Sequence, residues 1–244
     1  MRVGIPRGLL YYHYLPMWKA FFNGLDAEVV VSPPTTKEMV TLGCSRVVGD
    51  ICLPVKVYCG HAFALHDKCD YIFIPAVHSM QPELYSCPKF IGLPDLVRAA
   101  VPECPPVLDP DIDINKGKRY FYETVYRLGS VFTRDTSKID SAIGKAMDAH
   151  RVYGAQMIRH GLDSPQAIER MFSQCGEVDS DNHSASDITV ALIGHRYLLY
   201  DQHMNYRLQH RLRSMGVKLV SADTVGRDEL LGAMSDLVEK QYWA

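Results

Sequence analysis

The chain has 244 residues and a mass of 27.5 kDa; 47% of its residues are apolar and 22% are charged, the proportions of a globular protein. Lysines and arginines number 26 against 28 aspartates and glutamates, for a formal charge of −2, and no basic block stands out, which argues against a nucleic-acid partner. The longest apolar runs, such as 29–31 and 71–75, are far too short to span a bilayer, and the opening Met1-Arg2-Val3-Gly4-Ile5-Pro6 lacks the core of a secretory signal, so no membrane partner and a cytoplasmic location are expected.

Residues 3–5 read as a short apolar strand. Pro6-Arg7-Gly8 then turns the chain, and 9–22 reads as an aromatic-rich helix disturbed at Pro16. A second strand is expected at 28–32, a short helix capped by Thr36, a third strand at 45–48, and a helix from Pro54 to about His66. A buried-type strand at 71–75, a helix at 92–100 and a last strand at 106–108 follow. Strands alternating with helices predict a parallel sheet covered on both faces, a three-layer α/β domain over residues 1–114.

From 115 to 172 apolar residues fall at helical spacing (Val125 and Tyr126, then Ile139, Ile143, Ala146 and Met147), predicting two or three helices. The polar stretch 173–186 reads as a linker, so 115–186 form a helical connector. Residues 193–221 can be laid over 4–32 without a gap. This brings Arg7-Gly8-Leu9-Leu10-Tyr11 onto Arg196-Tyr197-Leu198-Leu199-Tyr200. Such self-similarity predicts that 187–244 form a second, related but incomplete α/β domain. Two or three strands have little core and open edges, so the chain reads as a C-terminally truncated piece of a longer design or as one whose edge a partner covers.

In open parallel sheets ligands bind outside the carboxyl ends of the strands. The Arg7 turn, the loop Thr35-Thr36-Lys37, the 50–56 loop and the 76–90 loop are expected there. Seven cysteines, an odd count without a CxxC pair, argue against both a disulfide framework and a zinc ribbon. Cys52 stands just before Pro54, at a helix N-terminus whose dipole favours a thiolate, as nucleophile or metal ligand. Cys87 also precedes a proline on the same rim, and Lys56 and Lys89 bring positive charge near both. The competing reading makes both cysteines small buried hydrophobes. Cys59 and Cys69 read as packing residues, Cys104 as part of an exposed turn, Cys175 as part of the linker, and Cys44 as a weaker candidate for the rim. His61, more than two turns along its helix, reads as a satisfied histidine pointing away from the rim. Arg7 and Arg196 occupy equivalent turns, where a guanidinium either clamps phosphate or carboxylate or caps the sheet. With no GxGxxG, Walker A or GxSxG sequence, ATP or a dinucleotide bound by the chain itself is not expected.

The segments Ile5-Pro6-Arg7-Gly8-Leu9-Leu10-Tyr11-Tyr12, Cys52-Leu53-Pro54-Val55-Lys56-Val57 with Gly60-His61, Tyr71-Ile72-Phe73-Ile74-Pro75, and Cys87-Pro88-Lys89-Phe90 with Gly92-Leu93-Pro94-Asp95 together resemble the 2-hydroxyacyl-CoA dehydratase D-component superfamily. They look most like its CoA-protein activase-related (DUF2229) branch, over essentially the whole chain. The resemblance implies an iron–sulfur protein of anaerobic metabolism, with two related α/β domains holding a 4Fe–4S cluster or a double-cubane relative. It also implies a partner, an ATP-dependent activator with its own iron–sulfur cluster. That partner supplies low-potential electrons for ketyl-radical dehydration of a 2-hydroxyacyl-CoA or for reduction of an acyl-CoA or small substrate.

By resemblance Cys52 and Cys87 are the cluster's metal ligands; Arg7 and Lys56, at the same rim, are expected to tune charge around the cofactor. The family's further cysteine, in a Cys-Gly-Pro-Asp type loop of the second domain, has no counterpart here; Cys44, a missing segment or another subunit of a homo- or heterodimer would complete the set. The alternatives are a cluster-free interaction or regulatory subunit, or fragment, of such an enzyme, and a small-molecule-binding α/β module with a reactive Cys52.

Overall fold

The structure, a computed structural model, describes residues 1–172 and 188–226 together with Glu229 and Gly232. The first part runs β1 (Arg2–Ile5), α1 (Tyr11–Gly24), β2 (Glu28–Val31), α2 (Lys37–Arg46), α3 (Leu53–Phe63), β3 (Tyr71–Phe73), β4 (Ala76–Ser79), α4 (Pro88–Ile91), α5 (Leu93–Ala100), β5 (Val107–Leu108) and β6 (Asp111–Asp113). Four strands form a parallel sheet in the order β2-β1-β3-β5. Side chains alternate across it with the two-residue period of a strand. Val3, Ile5 and Phe73 face α1 and the helices after β6, whereas Ile72 and Ile74 face α3 and α5. The result is the expected three-layer α/β arrangement. Thr36 caps α2 as expected, its hydroxyl accepting from the Met39 N–H at 3.3 Å.

The predicted strand at 45–48 is absent. Helix α2 runs on through Arg46, and Val47, though extended, pairs with no strand. Conversely, β4 and β6 are strands the sequence reading did not resolve. They continue β3 and β5 past Pro75 and Pro110, which break the strands but not the row of hydrogen bonds. Ile74 N–H donates to Leu108 O at 2.9 Å and Ala76 N–H to Pro110 O at 3.1 Å. The prolines fall where no N–H is needed between the two strands, which is where a sheet tolerates them.

Helix α1 passes through Pro16 unbroken. A proline there cannot donate to the carbonyl of Tyr12 four residues earlier. That orphaned oxygen instead accepts the buried Tyr153 hydroxyl at 2.6 Å. Tyr153 belongs to α7 (Thr136–His160), which follows α6 (Gly117–Gly129) and precedes α8 (Ser164–Phe172), the three helices of the expected connector. The expected linker at 173–186, with Cys175, lies outside the described residues.

Beyond it, β7 (Thr189–Leu192), α9 (Arg196–Leu199), α10 (Leu208–Ser214) and β8 (Lys218–Ser221) repeat the order strand, helix, strand with parallel pairing. The repeat is not gapless. Arg2 pairs with Glu28, a separation of 26, while Thr189 pairs with Lys218, a separation of 29, so the second crossing is three residues longer. Two short helices there replace the single α1. No helix among the described residues is long and apolar enough to cross a membrane.

Candidate functional site

Each crossover helix of a parallel sheet runs back against the strands, so its N-terminus lies at their carboxyl ends. Cys52 is the N-cap residue of α3 and Cys87 that of α4, and both are exposed with neither side chain spent on a capping bond. Pro54 and Pro88 sit in the first turns, where their missing N–H costs nothing. The two thiols thus stand at the rim carrying the Arg7 turn. Tyr197 of α9 is half-buried and packs against the core on both faces of the sheet. Burial raises the Tyr197 hydroxyl's pKa, with smaller contributions from its electrostatic interaction with Cys52 and Cys87.

Helix α2, which runs on into the segment expected as a strand, packs backbone to backbone against α3. Gly43 and Gly60 let the two helix backbones touch: a Cβ on Gly43 would lie 1.9 Å from Lys56 O, and one on Gly60 2.2 Å from Met39 O. The loop between the helices is closed by Lys56, whose ammonium donates to Gly49 O at 2.8 Å. Arg7 is half-buried beside Tyr11, 5.6 Å from its ring. Burial opposes its charge, but Tyr11, Tyr12 and Asp201 outweigh that and raise its pKa. Arg196 is engaged elsewhere, paired with buried Asp223 at 2.6 Å, so the two turns are not equivalent in their charges.

His61 does not point away from the strand ends. It is fully buried under the loop that follows β2, between Ser32 Oγ and Thr35 Oγ1, each at 2.9 Å. The proton order in this chain is determined. Thr35 gives its one hydroxyl proton to Asp201, so it accepts from His61 Nε2–H, and the Nδ1 of the neutral ring then accepts from Ser32 Oγ, which itself accepts the Arg7 N–H at 2.8 Å. Burial lowers the imidazole's pKa to about 4, keeping it neutral. Asp201, with its other oxygen accepting the His203 and Met204 N–H groups at 3.0 Å, thereby ties the second unit to the first. The sequence reading missed Thr35 and Asp201 as partners of His61, because their separation of 166 residues leaves no local signal.

The other cysteines separate from the rim pair by burial. Cys59 is fully enclosed, and burial pushes its thiol up to about 12. Cys69 packs its sulfur against Gly4, and Cys104 is half-buried, its thiol pushed up to about 11 by burial. Cys44 is exposed on α2. A four-thiolate cluster needs four cysteines, and the rim presents two exposed ones, Cys52 and Cys87. Among the described residues no three His, Cys, Asp or Glu side chains gather as a complete metal set.

Beside the rim lies a cavity of about 280 Å³, walled by Ile5, Phe73 and Ile112 from the strand ends, Trp18 from α1, Phe90 from α4 and Met147 from α7. The elements that carry the thiols therefore also enclose apolar space.

The model of the CoA enzyme activase uncharacterised domain (DUF2229) family matches residues 2–225. The chain belongs to this family, an acyl-CoA-related enzyme family. No curated protein and no solved structure matches it.

Proposed function

We propose that this family member is an iron–sulfur protein in which Cys52 and Cys87 supply two thiolates to a 4Fe–4S or double-cubane-type cluster. The remaining ligands would come from outside the described residues or from a second subunit. In this reading the protein takes low-potential electrons from an ATP-dependent activator carrying its own cluster and acts in dehydration or reduction of an acyl-CoA or small substrate. The observation that carries it is the pair of exposed thiols, neither held in a capping bond, at two helix N-termini on one rim.

The chain's own residues suit that role. Helix N-termini favour negative sulfur. The Tyr197 ring covers apolar core beside the thiols, and Lys56 and the Arg7 turn add positive charge at the same end. A bound cluster would supply one-electron transfer; the protein's part is to hold it and shield it from water.

Anaerobic reconstitution with iron and sulfide tests the reading. Wild-type protein should take up iron and acquire broad visible absorption, and Cys52→Ala and Cys87→Ala should each lose both. A wild type that takes up no iron, or a Cys52→Ala variant that keeps it, refutes the proposal. The incomplete ligand set favours a second reading, a cluster-free interaction or regulatory subunit. That reading predicts a stable iron-free protein unaffected by either substitution.

A further inference from the structure

We infer that the cavity beside the rim is a binding site for an uncharged aliphatic or aryl group that ends in one hydrogen-bonding atom. The size and chemistry of the space support this. At about 280 Å³ it is roughly twice the volume of an apolar cavity that takes up benzene, enough for an aryl ring with a short tail or a chain of about eight carbons. Lysine, arginine, aspartate and glutamate are all absent from its lining, so a charged group has no partner there. Empty, an apolar space of this size forfeits the dispersion contacts its walls would otherwise make; an occupant restores them.

The wall also offers an unpaired polar atom. His150 of α7 lines the cavity and stacks on Tyr14, ring centroids 5.4 Å apart. Its Nδ1 is buried and finds no hydrogen-bond partner among the described residues. A buried ring nitrogen left unpaired is costly, and a ligand hydroxyl or carbonyl would satisfy it. Burial lowers the His150 pKa, so the imidazole is neutral and suited to an uncharged terminus.

Two further features fit a built site rather than a packing fault. Leu9, buried in the wall, holds a left-handed backbone (φ 50), a conformation that a leucine adopts only when its surroundings impose it. Met147 is 46% exposed while lining the cavity, and Met80 is half-buried beside it; both are flexible side chains that adapt to varied apolar occupants.

The group could arrive as a free neutral molecule or as the acyl end of a thioester. Calorimetric titration of the full, iron-free chain with octan-1-ol, 3-phenylpropan-1-ol and glycerol tests the site. Saturable one-to-one binding is expected for the first two and none for glycerol. Met147→Trp, which fills the space from its edge, should weaken binding by about tenfold or more while circular dichroism shows a folded protein. Met80→Phe provides the same test should the first variant not fold. If octanoyl-CoA displaces octanol while CoA alone does not, the group belongs to a thioester; if octanoyl-CoA leaves octanol binding untouched, it belongs to a free ligand. Either result upholds the site. No saturable binding of either alcohol, or undiminished binding in both filled variants, overturns it. Cys52→Ser should bind the alcohols like wild type, so this inference and the metal reading can fail separately.

Discussion

Replacing Gly43 by alanine tests whether the α2–α3 contact positions the helix that carries Cys52. The new Cβ would lie 1.9 Å from Lys56 O and 2.6 Å from its carbonyl carbon, so backbone rather than a mobile side chain must give way. Overpacking of this kind costs about 3 kcal/mol at the upper end of its usual range. The better helix propensity of alanine returns about 1 kcal/mol. The net loss is about 2 kcal/mol, a fall in Tm of roughly 4–8 °C for a chain of this size. Gly144, on α7 with nothing within 4 Å of its would-be Cβ, is the control. Gly144→Ala keeps the propensity gain without the clash and should raise Tm by about 2–4 °C. Thermal unfolding followed by circular dichroism reads both. A Gly43→Ala protein that melts at or above wild type would show that the helices are not in backbone contact and refute this account of how α3 is placed.

Tyr153→Phe should destabilise the protein by about 1–3 kcal/mol in urea unfolding, because it strips the substitute partner from the Tyr12 carbonyl that Pro16 leaves without its helix bond. Thr35→Val keeps the shape but leaves His61 Nε2 and Asp201 facing a methyl group, at a cost of about 2 kcal/mol or more; Thr35→Ser should stay near wild type in the same assay. His61 titrates near 4 when folded against an ordinary 6.5, so the unfolded chain takes up the proton first as pH falls. Its contribution is therefore intact above about pH 6.5 and is lost progressively down to about pH 4, amounting to about 3 kcal/mol at most. Unfolding measured across that window should show a shallower acid slope in His61→Gln than in wild type; an identical slope would rule His61 out as its source.

Local chemistry made much of the fold legible. Proline in the first turns of α3 and α5, Thr36 at the start of α2, and the short apolar runs of β1, β2 and β3 each act within a few residues. The errors arose where a tertiary contact overrode a local preference. Residues 45–48 carry a strand-like end, but the Gly43–Gly60 contact rewards continuing the helix to Arg46. Pro75 and Pro110 looked like strand ends, yet the row of bonds between the strands steps around them into β4 and β6. Pro16 looked like a helix defect, and a tyrosine 137 residues away in sequence repairs it. At the site, Cys52 was legible as the start of a proline-led helix, whereas Cys87 read as a loop residue and the structure makes it the N-cap of α4. Tyr197, which interacts with both, comes from the second unit, and no spacing in the sequence places it near them. The cavity likewise has no sequence signal, since its walls read as ordinary core.

In the proposed function Cys52 and Cys87 bind one metal together. Titration of the iron-free, reduced protein with Co(II) tests it most directly, because thiolate-to-cobalt charge-transfer absorption reports sulfur coordination without requiring an assembled cluster. Wild type should develop that band at one equivalent of metal, and Cys52→Ser and Cys87→Ser should each abolish it. A band of undiminished intensity in either single variant would contradict the claim.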